Sequence, residues 1–530
     1  MINPLKSLLI LIVLTFGHTS WAQNHGTRAD REALFNYLYE KTIDRESVSP
    51  YKVASFGLDL SKNLMKMKDE IIDATSDEAL YFALVKFSNI RKNRHLSIQP
   101  LENGLKLERN RGVAPIRFHP DYKKEGDYFM FVSDVGTDIR QYAGKNVPDI
   151  GDKLIAINGV PFDAYFASIA PYQRYSTVNN LWIRVGYNLS VKDERFLPSG
   201  FYKEKFEVTL QPKKGRVYTV SLPYLEEEEI QWQSSERDKY PGYKKALEKV
   251  CYHLYVPTEP ENKTILLWWY GFRGSIRKDM EALMAYAQEH NLLEHDVIVD
   301  LTESRGGSRG AVMLRRLSSK PYKTTFGNLK LSDITDDFIA KMTRSFLEKN
   351  INDHGAREND DDGRWVMDWL HTDVLNALAA GQDYSNDVPF KCAHAPKYSD
   401  GVIHPAEVHF KGKLVCLFGP WGGSHLDQFS SIVYDNSLAH TIGMPTGGYS
   451  NTWEWTEKLK FPASNQYLTT FMWDIGHTIR PNGQILEGNP APVNVYIPVT
   501  RENFAAYKSL LLKKAMEWLN AEDNQGSVYR

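Results

Sequence analysis

The chain has 530 residues, of which 42% are hydrophobic, 12% aromatic and 25% charged. At about 150 residues per domain, that length predicts three or four units, and the composition excludes a disordered chain, a collagen-like fibre and a small disulfide scaffold. A formal net charge of −2 leaves no global basic field to hold a polyanion, so nucleic acid is not expected as a partner.

Met1–Ala22 has the pattern of a secretory signal peptide. Lys6 opens it, Leu8–Phe16 (LLILIVLTF) is an apolar run, and Ser20 and Ala22 place small residues around a cleavage site. The run is about half the ~20 residues needed to span a bilayer, so removal is expected rather than retention as an anchor. The mature protein is then exported, periplasmic or extracellular. Cys251, Cys392 and Cys416 are the three cysteines, an odd number that leaves at least one thiol unpaired. Cys416 lies in the apolar run Leu414–Phe418 and reads as a buried small hydrophobe. A Cys251–Cys392 bridge is open. Neither Cys-x-x-Cys nor His-Glu-x-x-His occurs, and His290 and His295 lack zinc-ligand spacing, so no metal or cofactor is expected.

From about 30 to 110 the sequence predicts helices, the clearest over Glu78–Ile90 (EALYFALVKFSNI), where apolar residues recur every three to four positions. From about 113 to 225 it predicts strands, notably Tyr128–Val132 and Phe206–Leu210. Between them, Gly151-Asp152 feeds Lys153–Ile157, which ends in an Asn158-Gly159 hairpin turn. That segment resembles part of PDZ domains, which bind extended peptides at a sheet edge; an ordinary hairpin fits equally well. Glu226–Glu229 marks an exposed linker or helix start. From about 230 onward strands and helices alternate: strands Thr264–Tyr270, Val297–Leu301 and Lys413–Phe418, helices Lys278–Asn291, Ser424–Asn436 and about Glu502–Leu519. The alternation predicts an α/β core. An insertion at about 320–410 carries the acidic run Glu358–Gly363, read as a solvated turn because no closing Glu completes a calcium loop.

Three separated segments carry chemistry. In the first, Val297–Leu301 leads through Thr302-Glu303-Ser304-Arg305 to Gly306-Gly307, where backbone amides could converge on an anion. The second, Gly419-Pro420-Trp421-Gly422-Gly423-Ser424-His425-Leu426-Asp427, places a serine between a strand and a helix, although serine is also a favoured helix cap. In the third, Gly483-Gln484-Ile485-Leu486-Glu487-Gly488 presents a carboxylate on a turn, suited to orienting a histidine or simply to the surface.

Together with Gly443-Met444-Pro445-Thr446-Gly447-Gly448, these segments resemble, in order, the motifs of serine peptidases of the C-terminal-processing and tricorn-core type, which include the chlamydial protease-like activity factor. The resemblance implies a crotonase/ClpP-like ββα core with a helical N-terminal part and an inserted PDZ-like domain. The implied boundaries are 1–22 signal, 23–112 helical region, 113–225 PDZ-like domain and 226–530 catalytic domain. One branch of the family uses a lysine base about 25 residues after the serine, but Tyr449 stands there. A phenol with a pKa near 10 is a poor substitute. The other branch uses an upstream histidine and a late glutamate, which implies a Ser424–His95–Glu487 triad, with His425 and Gly306 or Gly307 as oxyanion donors. Thr302, Ser304 and Arg94 depart from the usual pattern. The implied substrate is a protein or peptide, and oligomeric state stays open.

Two other readings remain. Gly306-Gly307-Ser308-Arg309-Gly310 fits the Gly-x-Ser-x-Gly of α/β-hydrolase esterases, except that four residues separate the strand from its first glycine. Alternatively, Trp268, Trp269 and Trp421 line a cleft that binds a peptide or hydrophobic ligand without cleaving it; the tryptophans also fit simple core packing.

Overall fold

The computed structural model describes residues 24–108, 110–233, 240–348, 364–389 and 400–521. The expected signal, Cys392 and the acidic run 358–363 therefore lie outside the described residues. Among the described residues no helix is long and apolar enough to cross a membrane.

A seven-stranded sheet organises the C-terminal half. Its order is Tyr243–Glu248, Tyr252–Pro257, Thr264–Trp269, Asp296–Asp300, Leu414–Phe418, His440–Gly443 and Val495–Tyr496. The first two strands are antiparallel neighbours, and the five from Thr264–Trp269 onward run parallel. Parallel strands are buried on both faces, which is why these segments read as continuous apolar runs. Side chains alternate between the two faces. Ile265, Leu267, Val297, Val299, Cys416 and Phe418 point to one core, shared with helices Ile276–Glu289, Gly310–Leu317 and His425–Asp435. Leu266, Ile298, Val415, Leu417 and Ile442 point to the other, closed by helix Tyr507–Leu519. Cys251 and Cys416 are both free and buried.

Residues 116–222 form a second, antiparallel sheet with its own core, flanked by helices Phe162–Ile169 and Val178–Asn188. Asn158 and Gly159 have φ of 53° and 81°, the paired positive values of a type I′ hairpin turn. Helix Val178–Asn188 reaches out of this unit onto the C-terminal half. The Thr177 hydroxyl at its start donates to the Gly447 carbonyl at 3.1 Å, and Asn180 Nδ2 donates to the Pro420 carbonyl at 3.4 Å.

The N-terminal helices begin with Arg28–Arg45 and end with Asp77–Asn89, whose first turn is capped by the Ser76 hydroxyl accepting from Ala79 N–H. They do not form a core by themselves. Leu34, Phe35, Leu80, Leu84 and Phe87 share one apolar cluster with Phe338 and Ile339 of the insertion and with Leu459, Phe471 and Trp473. The last three belong to the hairpin Glu454–Lys460/Tyr467–Asp474. This joint core carries the turn after Asn89 against the segment that follows residue 447, about 350 residues later in the chain.

Candidate active site

The central strand Leu414–Phe418 ends in a glycine-rich loop, and Ser424 opens helix His425–Asp435. Ser424 has φ 62° and ψ −125°, a conformation that L-residues avoid and that persists only where its surroundings impose it. Those surroundings are tight. A side chain on Gly422 would run into the Ser304 carbonyl, and one on Gly423 into the Tyr449 ring. Ser424 N–H donates to the Tyr449 carbonyl at 2.7 Å, which pins the serine to the 444–450 loop.

Asp427, one turn into the helix, holds that loop. It accepts from the Thr446 hydroxyl, and from the N–H groups of Gly448 and Tyr449 at 2.8 Å each. Burial nevertheless pushes its carboxyl up to about 7. Tyr449 thus links the two candidate residues, its backbone fixing Ser424 and its ring standing edge-on to His95, with centroids 5.3 Å apart.

Two backbone amides lie beside Ser424. The N–H of His425 opens the helix and has no acceptor among the described residues. The short strand Arg305–Gly307 pairs with Gly271–Phe272, and Arg305 N–H bonds the Tyr270 carbonyl just before that partner, so the Gly306 N–H that follows lies on the opposite edge. Gly306 packs so closely that a Cβ there would stand 2.7 Å from Ser424 Cβ and 3.2 Å from His425 N. Asp300 shapes the approach to this strand by accepting from Thr302 N–H at 2.9 Å and from its hydroxyl at 2.6 Å, which gives Thr302 a role at the strand exit.

His95 arrives from the N-terminal helices. Lys92, at φ 51°, turns the chain out of helix Asp77–Asn89. Asn93 then fixes the next residues: its Oδ1 accepts His95 N–H, and its Nδ2 donates to Asn451 Oδ1 and Asp474 Oδ2, each at 3.0 Å. His95 Nδ1 is buried 3.1 Å from Glu454 Oε1. Asn451 Nδ2 donates to the same Glu454 oxygen at 3.2 Å. Burial by itself lowers the imidazole pKa. The Glu454 contact and charge, with smaller contributions from Glu487 and Asp427, outweigh it and hold His95 above its ordinary value. For Glu454 burial works upward, and His95 and Asn451 bring it below the usual range.

The expected contact between Glu487 and His95 is not made. Glu487 Oε1 pairs with Lys52 Nζ at 2.8 Å, and Oε2 accepts Ser450 N–H at 2.7 Å. Both members of the pair are buried, at 2% and 1% side-chain exposure. The physical reason is charge: a lysine enclosed this deeply holds the nearest carboxylate. Glu454 is therefore the carboxylate at the imidazole, and Glu487 acts on it only as a smaller charge effect. Sequence reasoning missed Glu454, Lys52 and Asn93, for none stands in a recognisable spacing.

The remaining candidates separate cleanly. The imidazole of His425 is buried, its Nε2 accepting Gly310 N–H at 2.7 Å and its Nδ1 3.2 Å from Gln428 Oε1. Burial pushes its pKa down to about 4, so it is a neutral structural group. Ser308 precedes helix Gly310–Leu317 without a hydrogen-bonded histidine among the described residues, and the positive φ nearby belongs to Arg309. The esterase arrangement is thus not assembled around Ser308. Trp269 is core, stacked on Tyr252, while Trp268 and Trp421 are half-buried. Ser424 Oγ makes no hydrogen bond among the described residues, to His95 or to any other group.

No family model and no curated protein matches the chain. Solved structures do. Mature CPAF complexed with lactacystin is 14% identical, with a TM-score of 0.67 over 93% of this chain and 99% of CPAF. Mature CPAF by itself is likewise 14% identical, with a TM-score of 0.67 over 94% and 99% of the two chains. Over nearly its whole length, the chain has the fold of CPAF.

Proposed function

We propose that the protein is a serine endopeptidase in which Ser424 is the nucleophile, His95 the general base and Glu454 the carboxylate that orients it. The observation that carries this reading is the strained Ser424 backbone at a strand-to-helix turn, next to two free-edged amides. The likeness of fold to a protease supports it.

A neutral serine hydroxyl is a weak nucleophile, so its proton must leave as it attacks the peptide carbonyl. His95 Nε2 takes that proton. Glu454 keeps the other ring proton on Nδ1 and stabilises the imidazolium. The N–H groups of His425 and Gly306 receive the oxyanion, each such donor accounting for roughly 10²–10³ in turnover. The imidazolium returns its proton to the leaving amine, and water, deprotonated by His95, releases the acyl group. Glu487 and Lys52 form the floor that holds the 448–450 loop. The segment 1–22 exports the chain, and the 113–225 unit acts as a PDZ-like element that captures an extended peptide.

A fluorophosphonate probe tests the reading. Labelling at Ser424, lost in Ser424→Ala and retained in Ser308→Ala, is the expected result, with lactacystin as a competing ligand. A folded protein that stays unlabelled, or that is labelled at Ser308, overturns it.

A further inference from the structure

Three buried arginines in this fold are answered by carboxylates. Arg45 reaches Asp333 and Glu457, Arg91 reaches Glu46, and Arg480 reaches Asp435, at 2.6–3.0 Å. Three arginines beside the candidate site break that pattern. The Arg94 guanidinium lies 4.9 Å over the Tyr449 ring. Arg174 Nη1 donates to the Arg94 carbonyl at 3.5 Å. Arg184, on helix Val178–Asn188, lies 5.6 Å from the Trp421 ring and 5.9 Å from the Tyr187 ring. Trp421 is three residues before Ser424.

None of the three arginines is in an ion pair with a carboxylate among the described residues. The cations instead act on one another. Burial first, then the charge of Arg94, lowers the pKa of Arg174; burial, Arg94 and Arg174 push Arg184 down to about 9. Arginine side chains in general keep their positive charge in proteins. A half-buried cluster of like charges weakens a fold and focuses an attractive field on an anion. The aromatic rings of Tyr449, Trp421 and Tyr187 steady the guanidinium groups without neutralising them.

We propose that Arg94, Arg174 and Arg184 form a carboxylate-binding subsite that positions the peptide substrate beside Ser424. The proposal rests on the peptidase reading and adds a substrate class to it. Planar guanidinium forks match a carboxylate in two-point contact. That carboxylate is either an Asp or Glu side chain near the scissile bond or the free C-terminus of the substrate, and the two share the same chemistry.

The test needs no turnover. Full-length Ser424→Ala protein is titrated, by fluorescence anisotropy, into three rhodamine-labelled octapeptide pools: neutral and amidated, amidated with one Asp, and neutral with a free C-terminus. The neutral amidated pool is expected to bind about tenfold or more weaker than at least one of the others, as loss of a charged hydrogen bond implies. Preference for the Asp pool alone identifies a side-chain carboxylate; preference for the free C-terminus alone identifies the α-carboxylate. In the Ser424→Ala background, Arg174→Gln and Arg184→Gln are each expected to close the gap to within about threefold, and Arg184→Lys to retain part of it. Thermal melts confirm that each variant folds. Equal binding of all three pools, or an unchanged gap in the folded glutamine variants, overturns the proposal. Because binding is read on an inactive protein, absence of fluorophosphonate labelling in the wild type would refute the peptidase reading and leave this result legible.

Discussion

Replacing Glu454 by Gln isolates the carboxylate at His95 while keeping its shape. The separation of 3.1 Å sets the scale: at an effective dielectric near 20, the attraction to an imidazolium is about 5 kcal/mol. His95 and Glu454 keep 23% and 30% of their side chains in solvent, so screening cuts this to roughly 2–3 kcal/mol. That is about a 10²-fold fall in kcat/KM, or in the second-order rate of fluorophosphonate labelling. The pH profile should move as well. His95 must be neutral to accept the serine proton, so wild-type reactivity rises through a pKa held above the ordinary histidine value. Without the Glu454 carboxylate, burial is opposed only by the smaller contributions of Glu487 and Asp427, and the acid limb shifts to lower pH. Labelling rates of wild type, Glu454→Gln and Glu487→Gln between pH 5 and 9 give both quantities, with pH limits chosen around the histidine range. Should Glu487→Gln abolish labelling in a folded protein while Glu454→Gln leaves rate and profile unchanged, Glu487 is the orienting residue and the assignment made here is refuted.

Three further outcomes follow from the same geometry. The His95–Glu454 pair should stabilise the fold most between about pH 4.5 and 6.5. The raised imidazole contributes below its unfolded pKa and loses that contribution as pH rises through its folded value; the depressed carboxylate contributes above its own unfolded pKa and loses it as pH falls. The difference in Tm between wild type and Glu454→Gln should therefore peak in that window; a flat difference counts against the pair. Lys52→Met strands the Glu487 charge in the interior, at a cost of about 3–5 kcal/mol, most of it recovered by adding Glu487→Gln. Urea melts check this, and purely additive effects would show that the two side chains do not couple. Gly306→Ala would set a methyl 2.6 Å from the Gly423 carbonyl oxygen and 2.7 Å from Ser424 Cβ, so the amide must move. We expect kcat to fall about 10²–10³-fold with KM little changed, and an active Gly306→Ala enzyme would remove this amide from the oxyanion site.

Much of the fold was legible locally because it is written in periods that neighbouring residues set by themselves. The three-to-four spacing of Glu78–Ile90 became helix Asp77–Asn89, the runs at 264–270 and 297–301 became central strands, and Asn158-Gly159 made its hairpin turn. The strand–glycine–serine–helix order around Ser424 was equally readable, since a buried strand, glycines where side chains cannot fit and an amphipathic helix each leave a local trace. The choice of acid was not. Glu487 stands in a suggestive turn and Glu454 in an unremarked one, yet which carboxylate meets the imidazole depends on a competing charge, Lys52, brought in by a distant helix.

The sequence by itself determined the classes of element, the alternating α/β half and the serine at its strand exit. Tertiary structure decided the rest: that the N-terminal helices share their core with the 454–474 hairpin, and that this union delivers His95 to Tyr449 and Glu454. The same applies to Arg94, Arg174 and Arg184, spread over 90 residues and gathered around Tyr449 and Trp421. Periodicity is a property of neighbours along the chain. Electrostatic partnership is a property of neighbours in space, and only the packed core fixes those.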